Sequence, residues 1–86
     1  MHPTSKKGNS PELWEKLLES LDEKLQLGLL DYLRRITSYH FEDDTLTILT
    51  GSPEDADYLL KPAVLQHLEL LSEDATKVRR VKIQKP

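Results

Sequence analysis

The chain has 86 residues, no cysteine and a formal net charge of −3 at pH 7, a length that accommodates one small domain. The absence of cysteine excludes disulfides, thiolate catalysis and cysteine-ligated zinc, and it is typical of a reducing compartment, so we expect a cytoplasmic protein. No apolar run reaches the roughly 18 residues of a membrane helix, and no stretch near the start has the apolar character of a secretory signal.

The charge is distributed unevenly along the chain. All fifteen acidic residues lie between Glu12 and Asp74, together with only five basic ones. The end of the chain is basic and carries Lys77, Arg79, Arg80, Lys82 and Lys85. An acidic body repels phosphates, whereas a basic edge is able to contact nucleic acid or an acidic partner. We therefore expect nucleic-acid binding by the whole surface to be weak or absent.

Residues 1–9 are polar and offer nothing to bury, which predicts a flexible lead or linker before one domain at residues 10–84 and a tail at 85–86. Ser10-Pro11-Glu12 predicts a helix start, with a capping hydroxyl, a proline at the first helical position and an acid near the positive end of the dipole. One apolar arc follows at the helical period, made of Leu13, Trp14, Leu17, Leu18, Leu21 and Leu25. The first predicted helix is therefore amphipathic.

A second helix is predicted from about Leu29 to Thr37, because Gln26-Leu27-Gly28 interrupts the first apolar arc. Two short helices joined by a few residues lie as a hairpin or close to one.

The period of the pattern then changes from helical to alternating. Residues 39–41 alternate, Glu42-Asp43-Asp44 is polar, and residues 45–50 are rich in β-branched side chains. This predicts a β-hairpin with Leu46 and Ile48 on the buried face.

Ser52-Pro53-Glu54 repeats the helix-start signal and predicts a third helix that directs Ala56, Leu59 and Leu60 inward. Lys61-Pro62 interrupts it, because proline lacks an amide donor and restricts the residue before it. A continuing helix from Pro62 to about Leu71 aligns Val64, Leu65, Leu68 and Leu71.

Ser72 to Thr76 is predicted to be a polar loop, and Val78 to Ile83 a last strand with Val81 and Ile83 facing inward. The resulting order is ααββα(α)β, in which the third and fourth helices form either one kinked element or two. Helices segregated against a small three-stranded sheet define a two-layer α+β domain.

The sequence contains no recognisable catalytic or metal-binding motif. His2, His40 and His67 lie in a tail, a strand and a helix, and no pair has the i,i+4 spacing of a helical metal site. The three glycines lie too far apart for a GxxxxGK[ST] or GxGxxG phosphate loop, or for the GxxG loop of a KH domain. We predict no catalytic residue, no metal ligand and no cofactor.

Four apolar residues are candidates for binding a partner protein. Trp14, the only tryptophan, is either a core residue or an interface anchor, and its place near the centre of the apolar arc favours the core. Leu27 and Leu70 lie off the arcs of their helices, and Leu29 opens the second helix. A cluster of exposed leucines at one end would mark a docking surface.

The basic run of the last strand has two interpretations. Charge on an edge strand prevents pairing with other chains, which accounts for the run without any ligand. The alternative is contact with phosphate or an acidic partner, with Lys77, Arg79, Arg80 and Lys82 as the candidate nucleic-acid-binding residues.

Several motifs together resemble a known family. Leu13-Trp14 opens a leucine-striped helix, a second short helix follows, and Asp44-Thr45-Leu46-Thr47-Ile48 precedes a helix and a final Val/Ile strand. Over about residues 13–83 this pattern resembles the N-terminal domain of the bacterial replication initiator DnaA. The resemblance implies a KH-like fold that docks the replicative helicase or initiation regulators, and Trp14 matches a tryptophan linked to weak self-association.

Other positions depart from that pattern. Leu30-Asp31-Tyr32-Leu33 stands where the initiator has Phe-x-x-Trp, Gly51-Ser52 replaces Pro-Asn, and Glu54 replaces an aromatic residue used for helicase contact, so that role is not carried over. The chain is here more similar to the related domain near the C-terminus of the tau/gamma clamp-loader subunit of DNA polymerase III. That resemblance implies a polymerase III subunit or the helicase as partner.

The expected function is therefore a non-catalytic protein-interaction module of bacterial DNA replication. The alternative is a KH-like single-stranded nucleic-acid-binding domain that uses the basic C-terminal strand.

Overall fold

Four helices and three strands are formed by the residues that the computed structural model describes, 8–36 and 38–86. The helices are α1 (Pro11–Glu23), α2 (Leu27–Arg34), α3 (Pro53–Leu59) and α4 (Pro62–Thr76), and the strands are β1 (Ser38–Glu42), β2 (Thr45–Leu49) and β3 (Arg80–Gln84). This succession confirms the predicted order and the α+β class, with α3 and α4 as two separate helices.

The three strands form one mixed sheet in the order β1-β2-β3. β1 and β2 pair antiparallel through a tight turn in which Glu42 faces Thr45, and β2 pairs parallel to β3 with Leu46 opposite Val81. Asp43 adopts a φ of 56° in that turn, a conformation that aspartate tolerates better than most residues. The β-hairpin predicted from the sequence is therefore present.

The helices cover one face of the sheet, because buried and more exposed residues alternate along each strand. The four helices and the central strand β2 all contribute side chains that are almost completely buried, namely Leu17, Leu21, Leu33, Leu46, Ile48, Leu59 and Leu68. Burying a leucine of this kind contributes about 1.5–3 kcal/mol to stability. The predicted inward positions Leu46, Ile48 and Val81 are confirmed, and Ile83 packs against the same core.

The two Ser-Pro-Glu segments both begin helices, but their serines behave differently. Ser52 is extended, with ψ at 155°, and its hydroxyl accepts a hydrogen bond of 3.2 Å from the backbone N–H of Asp55. Ser10 has ψ at 73° and makes no side-chain capping hydrogen bond with the described residues. The predicted capping hydroxyl is therefore confirmed for α3 and wrong for α1.

Two leucines predicted to face the core are exposed because their helices end earlier than expected. α1 ends at Glu23, which leaves Leu25 outside the helix, and α3 ends at Leu59, which makes Leu60 its C-terminal flanking residue. α2 also differs from its prediction, since it starts at Leu27 and ends at Arg34.

The predicted polar loop at residues 72–76 is wrong, because α4 continues to Thr76. Ser72 and Thr76 are buried, and the Thr76 hydroxyl donates a 2.8 Å hydrogen bond to the Ser72 carbonyl oxygen. Small polar side chains can thus line the inner face of this last turn. β3 begins at Arg80, two residues later than predicted, although Val78 is still buried.

The predicted lead at residues 1–9 falls outside the described residues except for Gly8 and Asn9. Both contact β1: Gly8 lies against the ring of Tyr39, and Asn9 hydrogen-bonds with the backbone of Phe41. No helix within the described ranges is long and apolar enough to cross a membrane.

Candidate protein-docking surface

The structure separates the four predicted partner-binding residues into two buried and two exposed ones. Trp14 is 3% exposed and Leu29 is 5% exposed, so both are core residues. Leu27 and Leu70 are 54% and 66% exposed. Among these four, only Leu27 and Leu70 have side chains available to a partner.

Trp14 is held in the core by ring stacking. Its indole lies 4.4 Å from the Tyr39 ring at an interplanar angle of 3°, and Tyr39 in turn makes an edge contact with Phe41. Its Nε1 is buried and has no hydrogen-bond partner among the described residues. Burial and the two glutamates Glu12 and Glu15 raise the pKa of the Tyr39 hydroxyl. Trp14 therefore joins α1 to the sheet and is not presented to a partner.

The most exposed large apolar side chain in the described residues belongs to Leu25, which is 76% exposed. It follows α1 in a Schellman arrangement: the Gln26 N–H donates to the Leu21 carbonyl oxygen at 2.8 Å, and the Leu25 N–H donates to the Asp22 carbonyl oxygen at 3.1 Å. This turn requires a left-handed residue, and Leu25 has a φ of 58°.

Glycine is the residue usually found at such a position, because a Cβ atom is strained there. A branched side chain in the left-handed region costs on the order of 1 kcal/mol or more. Leu25 combines that cost with exposure of its apolar side chain to water. A leucine at this position is therefore favoured neither by the backbone conformation of the helix end nor by packing in the core.

Leu25 and Leu27 border a groove between the α1–α2 turn and the start of α4. The groove has a volume of about 320 Å³, and we call it the leucine groove; its lining comprises Leu25, Gln26, Leu27, Gly28, Leu29, Tyr58, Ala63, Val64 and His67. One hydrogen bond spans it, because His67 Nε2 lies 3.0 Å from Gln26 Oε1. The turn that presents the two leucines is thereby tied to α4.

Tyr58 lines the leucine groove and stacks on Tyr32. The rings of Tyr32 and Tyr58 are 4.0 Å apart, and the Arg35 guanidinium and the Lys61 ammonium lie over their outer faces. Arg35 also lies 3.7 Å from the Asp55 carboxylate. These contacts fasten α2 to α3, so the groove has a firm wall.

Leu70 lies beside a different depression, of about 420 Å³, together with Gln66, Glu69, Glu73 and Arg79. It is one helical turn from His67 on α4 but does not line the leucine groove. The exposed leucines of the prediction therefore do not form one cluster. The structure pairs Leu27 with Leu25, which the sequence pattern had placed in the core.

The basic residues near the C-terminus are divided among different surfaces. Arg80 and Lys82 alternate with the inward residues of β3 and share the open face of the sheet. Arg79 lines the depression beside Leu70, and Lys85 lies 3.3 Å from the Asp57 carboxylate. Lys77 ends α4. Of the four candidate nucleic-acid-binding residues, only Arg80 and Lys82 share a face.

The histidines do not converge with carboxylates in an enclosed space within the described residues. His40 Nε2 lies 3.6 Å from the Glu42 carboxylate on the open face of the sheet, with both side chains more than half exposed. His67 hydrogen-bonds with Gln26. The described part of the chain contains no group of three or more His, Cys, Asp or Glu side chains that could hold a metal ion.

Comparisons of the chain with protein-family models, with curated proteins and with solved structures find no match. The function of the leucine groove therefore has to be argued from its own residues.

Proposed function

We propose that the chain is a non-catalytic protein-docking module of the bacterial DNA replication machinery and that the leucine groove receives the partner. The observation that carries this proposal is Leu25, an apolar side chain held in a strained backbone conformation and exposed to water. Strain of this kind is retained mostly where it serves a function. The replication assignment is supported by the resemblance of residues 13–83 to the initiator and clamp-loader domains.

The groove suits an apolar side chain of a partner. Its rim supplies two exposed leucines, and its lining contains no acidic residue. A buried apolar anchor surrounded by polar contacts is the usual organisation of a binding hot spot. The expected occupant is a segment of the replicative helicase or of a polymerase III subunit with this character.

Direct titration of purified replication proteins tests the proposal. The full chain is immobilised, and binding of the bacterial replicative helicase and of the polymerase III polymerase subunit is measured by surface plasmon resonance. We expect at least one of them to bind and Leu25→Gly to weaken that binding by about tenfold or more. Because glycine suits the left-handed turn, this loss cannot be attributed to unfolding.

Two matched variants serve as controls. Lys77→Gly makes the same backbone change at the end of α4, where φ is 71°, and Leu60→Ser removes an exposed leucine that does not line the groove. Both should bind like the unmodified chain. Absence of binding by both replication proteins would refute the replication assignment, and equal binding by the chain and by Leu25→Gly would refute the assignment to the groove.

A further inference from the structure

The outer edge of β1 is occupied by a side chain that imitates a neighbouring strand. The Phe41 N–H donates a 2.8 Å hydrogen bond to Asn9 Oδ1, and Asn9 Nδ2 donates to the Phe41 carbonyl oxygen. A carboxamide carries one acceptor and a donor in the arrangement of a peptide group. The pair of bonds is therefore the one that a residue of an added strand would make with Phe41.

The edge has a second position of the same kind. β1 has β2 on one side only, and alternate residues of a strand direct their peptide groups to opposite sides. Since Phe41 directs its groups to Asn9, Tyr39 directs its own groups outward as well. No hydrogen bond joins these outward groups of Tyr39 to any described residue outside the sheet. One position of the edge is thus filled by Asn9, and the backbone of the other makes no outward hydrogen bond with the described residues.

Gly8 shows what kind of backbone fits beside this edge. A Cβ atom added to Gly8 would overlap the ring of Tyr39, whose other face is covered by the Trp14 indole. A chain crossing at this point can therefore approach the ring only at a glycine.

The surroundings of the edge are acidic. Glu12 and Glu15 act on Tyr39 through their charges, and Glu42 belongs to β1 itself. The nearest basic group on β1 is His40, which already lies next to the Glu42 carboxylate. An extended segment that carries lysine or arginine is electrostatically matched to this edge.

We propose that the outer edge of β1 is a strand-addition site for a basic, glycine-containing extended segment of a partner protein, and that Asn9 occupies one of its positions within the same chain. Strand addition of this type takes its affinity from main-chain hydrogen bonds and its selectivity from the flanking side chains. Asn9 competes with the partner because it is tethered next to the edge at a high effective concentration. The site is separate from the leucine groove, so the test of strand addition does not depend on whether the proposed docking function is correct.

The test uses a fluorescein-labelled peptide with alternating lysine and valine around a central glycine, measured by fluorescence anisotropy against the full chain. Asn9→Ala releases the edge, and we expect it to bind the peptide about tenfold more tightly than the unmodified chain, because two hydrogen bonds no longer have to be displaced. A peptide with glutamate in place of lysine should bind neither form. In amide exchange, Phe41 should lose protection in Asn9→Ala and regain it with the lysine peptide.

The opposite edge of the sheet supplies the matched control. The N–H of Val81 on β3 donates to a Glu69 carboxylate oxygen at 3.2 Å, so Glu69→Ala uncovers the other edge. That edge carries Arg80 and Lys82, and Glu69→Ala should therefore not gain affinity for the lysine peptide. Equal gains for the two variants, no gain for Asn9→Ala, or a concentration-dependent dimer of Asn9→Ala that excludes the peptide would each overturn the proposal.

Discussion

The C-terminal ends of α1 and α4 both place a residue in the left-handed conformation, but the two residues are very different. Leu25 after α1 and Lys77 after α4 both adopt positive φ, at 58° and 71°. At Lys77 the side chain is charged and exposed, and its positive charge complements the negative end of the helix dipole. Leu25 has no such compensation. The lysine is therefore explained by its own helix, whereas the leucine is not, and this difference is what the proposed docking role would explain.

The largest expected difference in stability is between truncation of Leu21, inside α1, and truncation of Leu25, just after it. Leu21 is completely buried, and Leu21→Ala should lower the free energy of unfolding by about 3–5 kcal/mol because it leaves a cavity. Leu25→Ala removes an exposed side chain and should change it by less than about 0.5 kcal/mol. Urea unfolding followed by circular dichroism measures both. A large loss for Leu25→Ala would show that Leu25 supports the fold, which contradicts its role as a docking residue.

Replacing both left-handed residues by glycine sharpens the comparison. Leu25→Gly and Lys77→Gly should each raise the free energy of unfolding by about 1 kcal/mol, since the strain of a Cβ atom is relieved. For a domain of this size that corresponds to an increase in Tm of about 4–8 °C. Thermal unfolding of the two variants measures the effect. The result that would contradict the argument is destabilisation by both, which would mean that neither turn is strained.

The element order was predictable because apolar periodicity separates helix from strand. Apolar and polar residues alternate in β1 and β2, which predicts strands, and four apolar residues of α4 align at the helical period, which predicts a helix. What periodicity cannot give is where a helix ends: Leu25 continues the arc of α1, but the helix stops two residues before it. A usable signal was the break at Gln26-Leu27-Gly28, which placed Leu25 within one turn of the helix end.

The polar end of α4 was missed for the opposite reason. Its last turn contains Ser72, Glu73, Asp74 and Thr76, whose composition favours a loop, yet Ser72 and Thr76 are buried. Small polar side chains fit there because the turn packs closely against the core and because Thr76 hydrogen-bonds to the helix backbone. Similarly, the contact of Asn9 with Phe41 joins residues 32 positions apart, and no local pattern encodes such a pairing.

A smaller effect is expected at Ser72, on the inner side of the α4 terminus. Its hydroxyl is buried and has no hydrogen-bond partner among the described residues. Ser72→Ala removes this unpaired group and improves helix propensity, so the free energy of unfolding should rise by about 0.5–1 kcal/mol. Thr76→Ala is the control, because it removes a hydroxyl that is paired and should destabilise. Loss of stability in Ser72→Ala would indicate that the hydroxyl binds a buried water.

The smallest effect concerns the ion pair that joins the two helix ends. Lys24, which caps α1, lies 2.7 Å from the Asp74 carboxylate in the last turn of α4. The hydrogen bond from Lys24, followed by its charge, holds the pKa of Asp74 below its usual range. A carboxyl whose pKa is lowered in the folded state stabilises the protein above its unfolded pKa, and that contribution disappears as the pH falls through the folded pKa.

Replacing the lysine isolates this contribution. In Lys24→Gln, NMR titration should find the pKa of Asp74 returned towards its usual range, with only a residual lowering from Lys77. The stability difference between the chain and Lys24→Gln should be present at neutral pH and vanish in acid. Because the pair is exposed and screened by salt, the difference should also shrink at high ionic strength. If instead the pKa of Asp74 does not move, Lys24 does not hold the two ends together, and the orientation of the Leu25 turn must depend on the contact of Gln26 with His67 alone.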